Sequence, residues 1–166
     1  MKLIYIVLAV LSLVIFSGCE ESFEETGPCV FAANRAHIIG LTAIKPGSEG
    51  KSLTSISAYI SLHDRFDSSV KGPGIFRFEL YAYVPRTGDN RGRQVFAWPA
   101  FDLTEAMANN GYWDDFLRAY EFTLNTNVAS EVLKTYILQV TCTTQAGKRL
   151  TDMFALDGKR LIREDF

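Results

Sequence analysis

Ile75-Phe76-Arg77-Phe78-Glu79-Leu80-Tyr81-Ala82-Tyr83-Val84 decides the fold. Phe76, Phe78, Leu80, Ala82 and Val84 fall on one side of an extended chain, and Arg77, Glu79, Tyr81 and Tyr83 on the other. A period of two marks a strand with one buried and one wet face. Lys71-Gly72-Pro73-Gly74 breaks the chain before this segment and Pro85 closes it. The stretch Leu53 to His63 repeats the pattern, with Ile56, Ala58, Ile60 and Leu62 opposite Ser55, Ser57, Tyr59 and Ser61.

Working outward, His37 to Ile44 reads as a first strand stopped by Pro46-Gly47, and Arg93 to Trp98 as a fourth. Tyr120, Phe122 and Leu124 alternate in a fifth, and Tyr136, Leu138, Val140 and Cys142 in a sixth. Gln145-Ala-Gly147-Lys148 is a hairpin turn into a seventh, Arg149 to Leu156. About seven strands with short connections predict an all-β fold, an antiparallel β-sandwich, with a barrel as the alternative closure. Its expected core is Ile60, Leu62, Phe76, Phe78, Leu80, Val84, Phe122, Leu138, Val140 and Phe154. One segment departs from the rhythm. Asp102 and Glu105 have the spacing of a helix-capping pair, Asn110-Gly111 makes a stop, and Trp113, Phe116, Leu117 and Tyr120 recur at helical intervals. A short helical insert there would cover one open end of the sandwich.

The chain opens with Met1-Lys2, a run from Leu3 to Phe16 that is apolar but for Ser12, and then Ser17-Gly18-Cys19. A charged start, a short apolar core and small residues before a cut site describe a secretory signal. This fourteen-residue stretch (3 to 16) is too short for a transmembrane helix, which needs about 20. Phe16-Ser17-Gly18-Cys19 resembles the lipobox of bacterial lipoproteins, with Phe16 at the position where that family usually has leucine. The resemblance implies cleavage before Cys19, acylation of its sulfur and its new amino group, and a place on a membrane surface outside the cytoplasm. Glu20, rather than aspartate, follows the cysteine, which points toward the outer membrane. The expected organisation is a signal peptide over 1–18, a lipidated cysteine and acidic tether over 19–29, a sandwich domain over 30–158 and a charged tail over 159–166. The order of lipobox, short tether and small sandwich is similar, as architecture, to the lipoproteins that anchor type VI secretion complexes. The domain itself resembles no characterised family closely.

Removing residues 1–18 leaves 148 residues (166 − 18), enough for one domain with its own core. Net charge moves from −2 to −3 with the loss of Lys2, which gives no case for nucleic acid. Lys45, Arg91, Arg93 and neighbouring bases gather at the end opposite the tether, mixed with acids, and read as solvated loops. Cys29 and Cys142 are left as a pair that can oxidise outside the cytoplasm. Two readings stand: a bridge between them, or Cys142 as a small core residue and Cys29 as a free thiol near the linker.

Sites are sparse. His37 and His63 are the only histidines, with no zinc spacing and no nucleophile motif, so neither a metal, a cofactor nor catalysis is expected. Asp64, Asp67, Asp102, Asp114 and Asp115 would share one end of the sandwich, and read as solvated turns before calcium ligands. Trp98, Tyr112 and Trp113 are the candidate ligand-facing aromatics, since exposed rings could stack on sugars of the cell wall. Function is therefore expected to be a membrane-anchored, non-enzymatic binding or envelope-assembly module with a protein partner, or alternatively a carbohydrate binder.

Overall fold

A computed structural model describes residues 31–45, 54–85, 88–126 and 135–157. The signal segment, Cys19, the tether, Cys29 and the tail 159–166 lie outside the described residues. Two antiparallel sheets pack over one core. The first is built on β3 (Thr54–His63). On one side of it run β1 (Arg35–Ile38) and β2 (Ala43–Lys45), and on the other β9 (Ala119–Thr126), with β8 (Trp113–Asp114) beyond. The two-residue β4 (Ser69–Val70) pairs with the end of β3. The second sheet has the order β11 (Arg149–Asp157), β10 (Thr135–Thr144), β5 (Gly74–Tyr83) and β6 (Arg91–Ala97), with β7 (Phe101–Asp102) also on β5.

Each sheet has an interrupted edge. Ile38 faces Ile60 and Ala43 faces Ser57, so five steps on one strand meet three on its neighbour. The surplus loops out at 39–42 and is tied back by Ile39 N–H to Tyr59 O and by Tyr59 N–H to Thr42 Oγ1. The expected strand 37–44 is therefore two short strands on one line. The other edge behaves alike: β6 and β7 lie along β5, broken at Trp98-Pro99-Ala100. Counting each broken edge as one ribbon and leaving out the two-residue β4 and β8 gives seven among the described residues, in the order first-second-fifth and seventh-sixth-third-fourth. That is a Greek-key wiring of the kind immunoglobulin-type sandwiches use, a likeness of architecture alone.

Period-two alternation puts Ile56, Ala58, Ile60, Leu62, Phe76, Phe78, Leu80, Tyr120, Phe122, Leu124, Leu138, Val140 and Cys142 inside. Phe122 is the hub of the rings, with centroids 4.8 Å from Phe78 and 5.2 Å from both Phe76 and Phe101. Two expected core residues need correction. Val84 is exposed, because β5 ends at Tyr83 and its pairing with β6 slips at Leu80 and Tyr81, throwing the alternation out of phase. Phe154 is only half-buried: it packs on the core from an edge strand, where Leu150 and Leu156 take the fully buried places.

The insert also differs from expectation. The helix α1 covers only Ala106–Gly111, and its capping position, Glu105, makes no side-chain cap. Asp102 instead turns back on its own loop, its Oδ1 accepting from Thr104 N–H at 3.0 Å and Thr104 Oγ1 at 2.6 Å. Those bonds hold its carboxyl below the usual range. No second helical stretch follows. Trp113 and Asp114 form β8, and the chain reverses over 115–118 so that Trp113 faces Tyr120.

The entry to the domain, the 64–73 turn, α1, the 115–118 tip and the 145–148 turn gather at one end. Lys148 Nζ bonds Asn34 Oδ1, Lys71 Nζ bonds Asn110 Oδ1 at 2.9 Å, and Arg118 donates to Ser69 O. A buried network locks this end. Asn109 Nδ2 donates to Gly72 O and Leu103 O, while Tyr120 OH accepts from Gly72 N–H and lies 3.0 Å from Asn109 Oδ1.

Candidate binding cleft

The β8–β9 hairpin shapes the one concavity that gathers predicted site residues. β9 sends Tyr120, Phe122 and Leu124 inward and turns Glu121 and Thr123 outward. Glu121 N–H donates to Tyr112 O at 2.7 Å, fixing the start of the hairpin against β9. The result is an open cleft of about 370 Å³ lined by Phe101, Gly111, Tyr112, Trp113, Asp114, Glu121 and Thr123. Rings supply its apolar part, and two carboxylates and a hydroxyl its polar part, the mixture that orients a small polar ligand with an apolar face.

Glu121 is held in place by Tyr59, whose OH donates to its Oε1 at 3.0 Å. Burial, that bond and the charges of Glu121 and Asp114 all raise the Tyr59 phenol above its ordinary value, so it stays a donor. Asp114 Oδ1 accepts Leu117 N–H at 2.7 Å and so braces the hairpin tip. The lining carries two acids and no base, which suits hydroxyl or amino groups rather than anions.

The structure joins Tyr112 and Trp113 in this cleft but leaves Trp98 out of its lining. Trp98 stitches the two sheets instead, its Nε1 donating to Asn125 O at 2.6 Å and its ring lying edge-on to Phe96. None of the three is a free platform, since all are half-buried and packed on the core. Tyr112 lies against Phe101 and Phe122, and Trp113 stands edge-on to Tyr120 with Lys71 Nζ 4.9 Å over its ring and Asp115 on its indole nitrogen.

The clustered aspartates serve their own turns. Asp64 is buried and its Oδ1 accepts from Phe66 N–H and Ser68 N–H; Asp67 pairs with Arg35. Among the described residues no three His, Cys, Asp or Glu side chains are grouped to hold a metal ion. Cys142 is buried with a free thiol, and burial pushes its pKa up to about 12. The cysteine considered as its partner, Cys29, lies outside the described residues.

One constellation escapes sequence reading. His63-Asp64 point to opposite faces, but Ser61 and His63, two apart, share one. Ser61 Oγ lies 2.9 Å from His63 Nε2, and His63 Nδ1 lies 3.6 Å from Asp67 Oδ1. This has the order of a nucleophile–base–acid relay. Ser61 is only 4% exposed, lies on a sheet face near the end of β3 and also contacts His37 O, so no substrate carbonyl can approach its oxygen. No protein-family model, curated protein or solved structure matches the chain.

Proposed function

We propose that this protein is a lipid-anchored lipoprotein on an extracytoplasmic membrane surface, with the sandwich as a non-enzymatic binding or envelope-assembly module. The observation that carries this reading is Cys19 directly after Ser17-Gly18 and a fourteen-residue stretch (3 to 16), apolar but for Ser12 and too short to span a bilayer. Acylation at several points on one cysteine anchors stably, because each buried CH₂ contributes about 0.8 kcal/mol. The sealed position of Ser61 favours binding over hydrolysis. The test is fractionation: the parent chain should sediment with membranes and take up labelled palmitate, and Cys19→Ser should do neither. Cys19→Ser sedimenting with membranes at high salt would refute the anchor. Co-purification from detergent-solubilised membranes then identifies a protein partner.

The cleft favours a second reading, a carbohydrate or cell-wall ligand held by Trp113, Asp114 and Glu121. Oligosaccharides of N-acetylglucosamine should quench or shift tryptophan emission, and Glu121→Gln should weaken that response several-fold. A flat titration of the parent chain excludes this ligand class.

A further inference from the structure

We infer that the entry end of the sandwich docks on the bilayer interface itself, so that the domain rests on its membrane in a fixed orientation. This rests on the lipid-anchor reading and goes beyond it, since a tether alone leaves orientation open. Among the described residues the four most exposed large apolar side chains are Phe116 at 93%, Met107 at 86%, Phe31 at 66% and Phe66 at 63%. All four lie at the same end, on the entry segment, the 64–73 turn, α1 and the 115–118 tip. Two of them are held out by braced turns. Phe66 sits in a loop pinned by four bonds of Asp64 and its backbone, and its ring meets that of Phe31 at 6.2 Å. Phe116 crowns a hairpin tip closed by Asp114 on Leu117 N–H and anchored by Arg118 to Ser69 O. Turn tips ordinarily carry Gly, Asn, Asp, Ser or Pro, so phenylalanine on two rigid tips at one end calls for an apolar neighbour.

The length of chain before the domain selects that neighbour. Eleven residues (20–30) separate Cys19 from Phe31 and span at most about 40 Å. A ten-residue strand such as β3 is about 33 Å long. With Cys19 in the bilayer, the entry end reaches the surface with slack, whereas the far end reaches it only on a fully drawn tether. Bases and acids are mixed at this end (Arg65, Arg118 and Lys148 against Asp67, Glu105 and Asp115), so the apolar tips, rather than attraction to anionic lipid, make the contact.

The test uses the full lipidated chain reconstituted in phosphatidylcholine vesicles containing brominated phosphatidylcholine. Phe116→Trp and Phe66→Trp place reporters at the entry end, and Val84→Trp places one at the far end. Docking predicts at least twofold more bromine quenching than the parent's Trp98 and Trp113 give for both entry-end variants, none added for Val84→Trp, and no change in 0.5 M salt. Equal quenching at the two ends, or none at the entry end, overturns the proposal. Intact mass measured on the same sample separates the two readings. Acylated Cys19 without entry-end quenching refutes docking alone, and unmodified Cys19 removes the anchor reading and the docking argument with it.

Discussion

Tyr120→Phe keeps a ring that is fully buried and removes one oxygen, so it isolates the polar lock at the entry end. In the parent that oxygen accepts Gly72 N–H at 2.9 Å and stands 3.0 Å from both Gly72 O and Asn109 Oδ1. Its loss leaves Gly72 O with Asn109 Nδ2, still bonded at 3.0 Å, but deprives Gly72 N–H and Asn109 Oδ1. An orphaned buried group costs about 1–3 kcal/mol. Asn109 is 6% exposed and carries that cost in full, while Gly72 is half-buried and recovers part of it from water. The expected destabilisation is about 2 kcal/mol, or a fall in melting temperature of about 7 °C for a domain of this size. Urea unfolding followed by tryptophan emission measures it, and Asn109→Ala with the double variant completes a cycle. Coupling of at least about 0.5 kcal/mol is expected between the two sites. A Tyr120→Phe loss under about 0.5 kcal/mol, or strict additivity, refutes the lock.

Phe78→Ala removes a fully buried ring in contact with Phe122 and Phe101, and should cost about 3–5 kcal/mol in the same assay. Asp152→Ala strips Ile38 N–H of the carboxylate 2.8 Å away that joins β11 to β1, and should cost about 1–3 kcal/mol, while Asp152→Asn should recover part of it. The buried Cys142 thiol has a pKa raised from 9.0 to about 12. The unfolded chain loses that proton first, so it binds fewer protons than the native state and stability falls as pH rises from 9 toward 12, by about 1.4 kcal/mol per unit at most. Tyr120, raised by burial, acts in the same direction above pH 10. A flat stability from pH 8 to 11 would contradict this, and Cys142 should stay silent to thiol reagents in the native chain at pH 8.

The long strands were legible because their apolar residues alternate with others over eight to ten positions, even in β10, which is buried on both faces. The broken edges were not. At 39–42 the chain reads Ile-Gly-Leu-Thr, and Gly40 alone between two apolar residues is too slight a signal to mark the surplus. The segment 113–120 misled for a geometric reason. Trp113 and Tyr120, seven apart, suit two helical turns, but a hairpin with a four-residue tip also brings positions seven apart face to face. Phe116 and Leu117 fill the tip, and their apolar character completed a helical pattern by accident of composition. Of the cleft, Tyr112 and Trp113 could be named in advance. Asp114 read only as a solvated turn and Glu121 not at all, since exposed acids look like ordinary solvation until a neighbouring hairpin walls them in.

The interrupted edges restrict how this domain can meet another protein. An unbroken edge strand offers a row of free N–H and C=O groups onto which a foreign strand can zip. Here one flank is folded over at 39–42 and tied to β11 by Asp152, and the opposite flank is broken at 98–100 and tied to β9 by Trp98. Among the described residues β8 pairs with Ala119 and Tyr120 of β9, and Tyr112 O takes Glu121 N–H just beyond them. Along these two flanks a partner finds no continuous template for backbone pairing and must recognise side chains, whereas β11, a nine-residue strand at the end of the second sheet, keeps one regular edge.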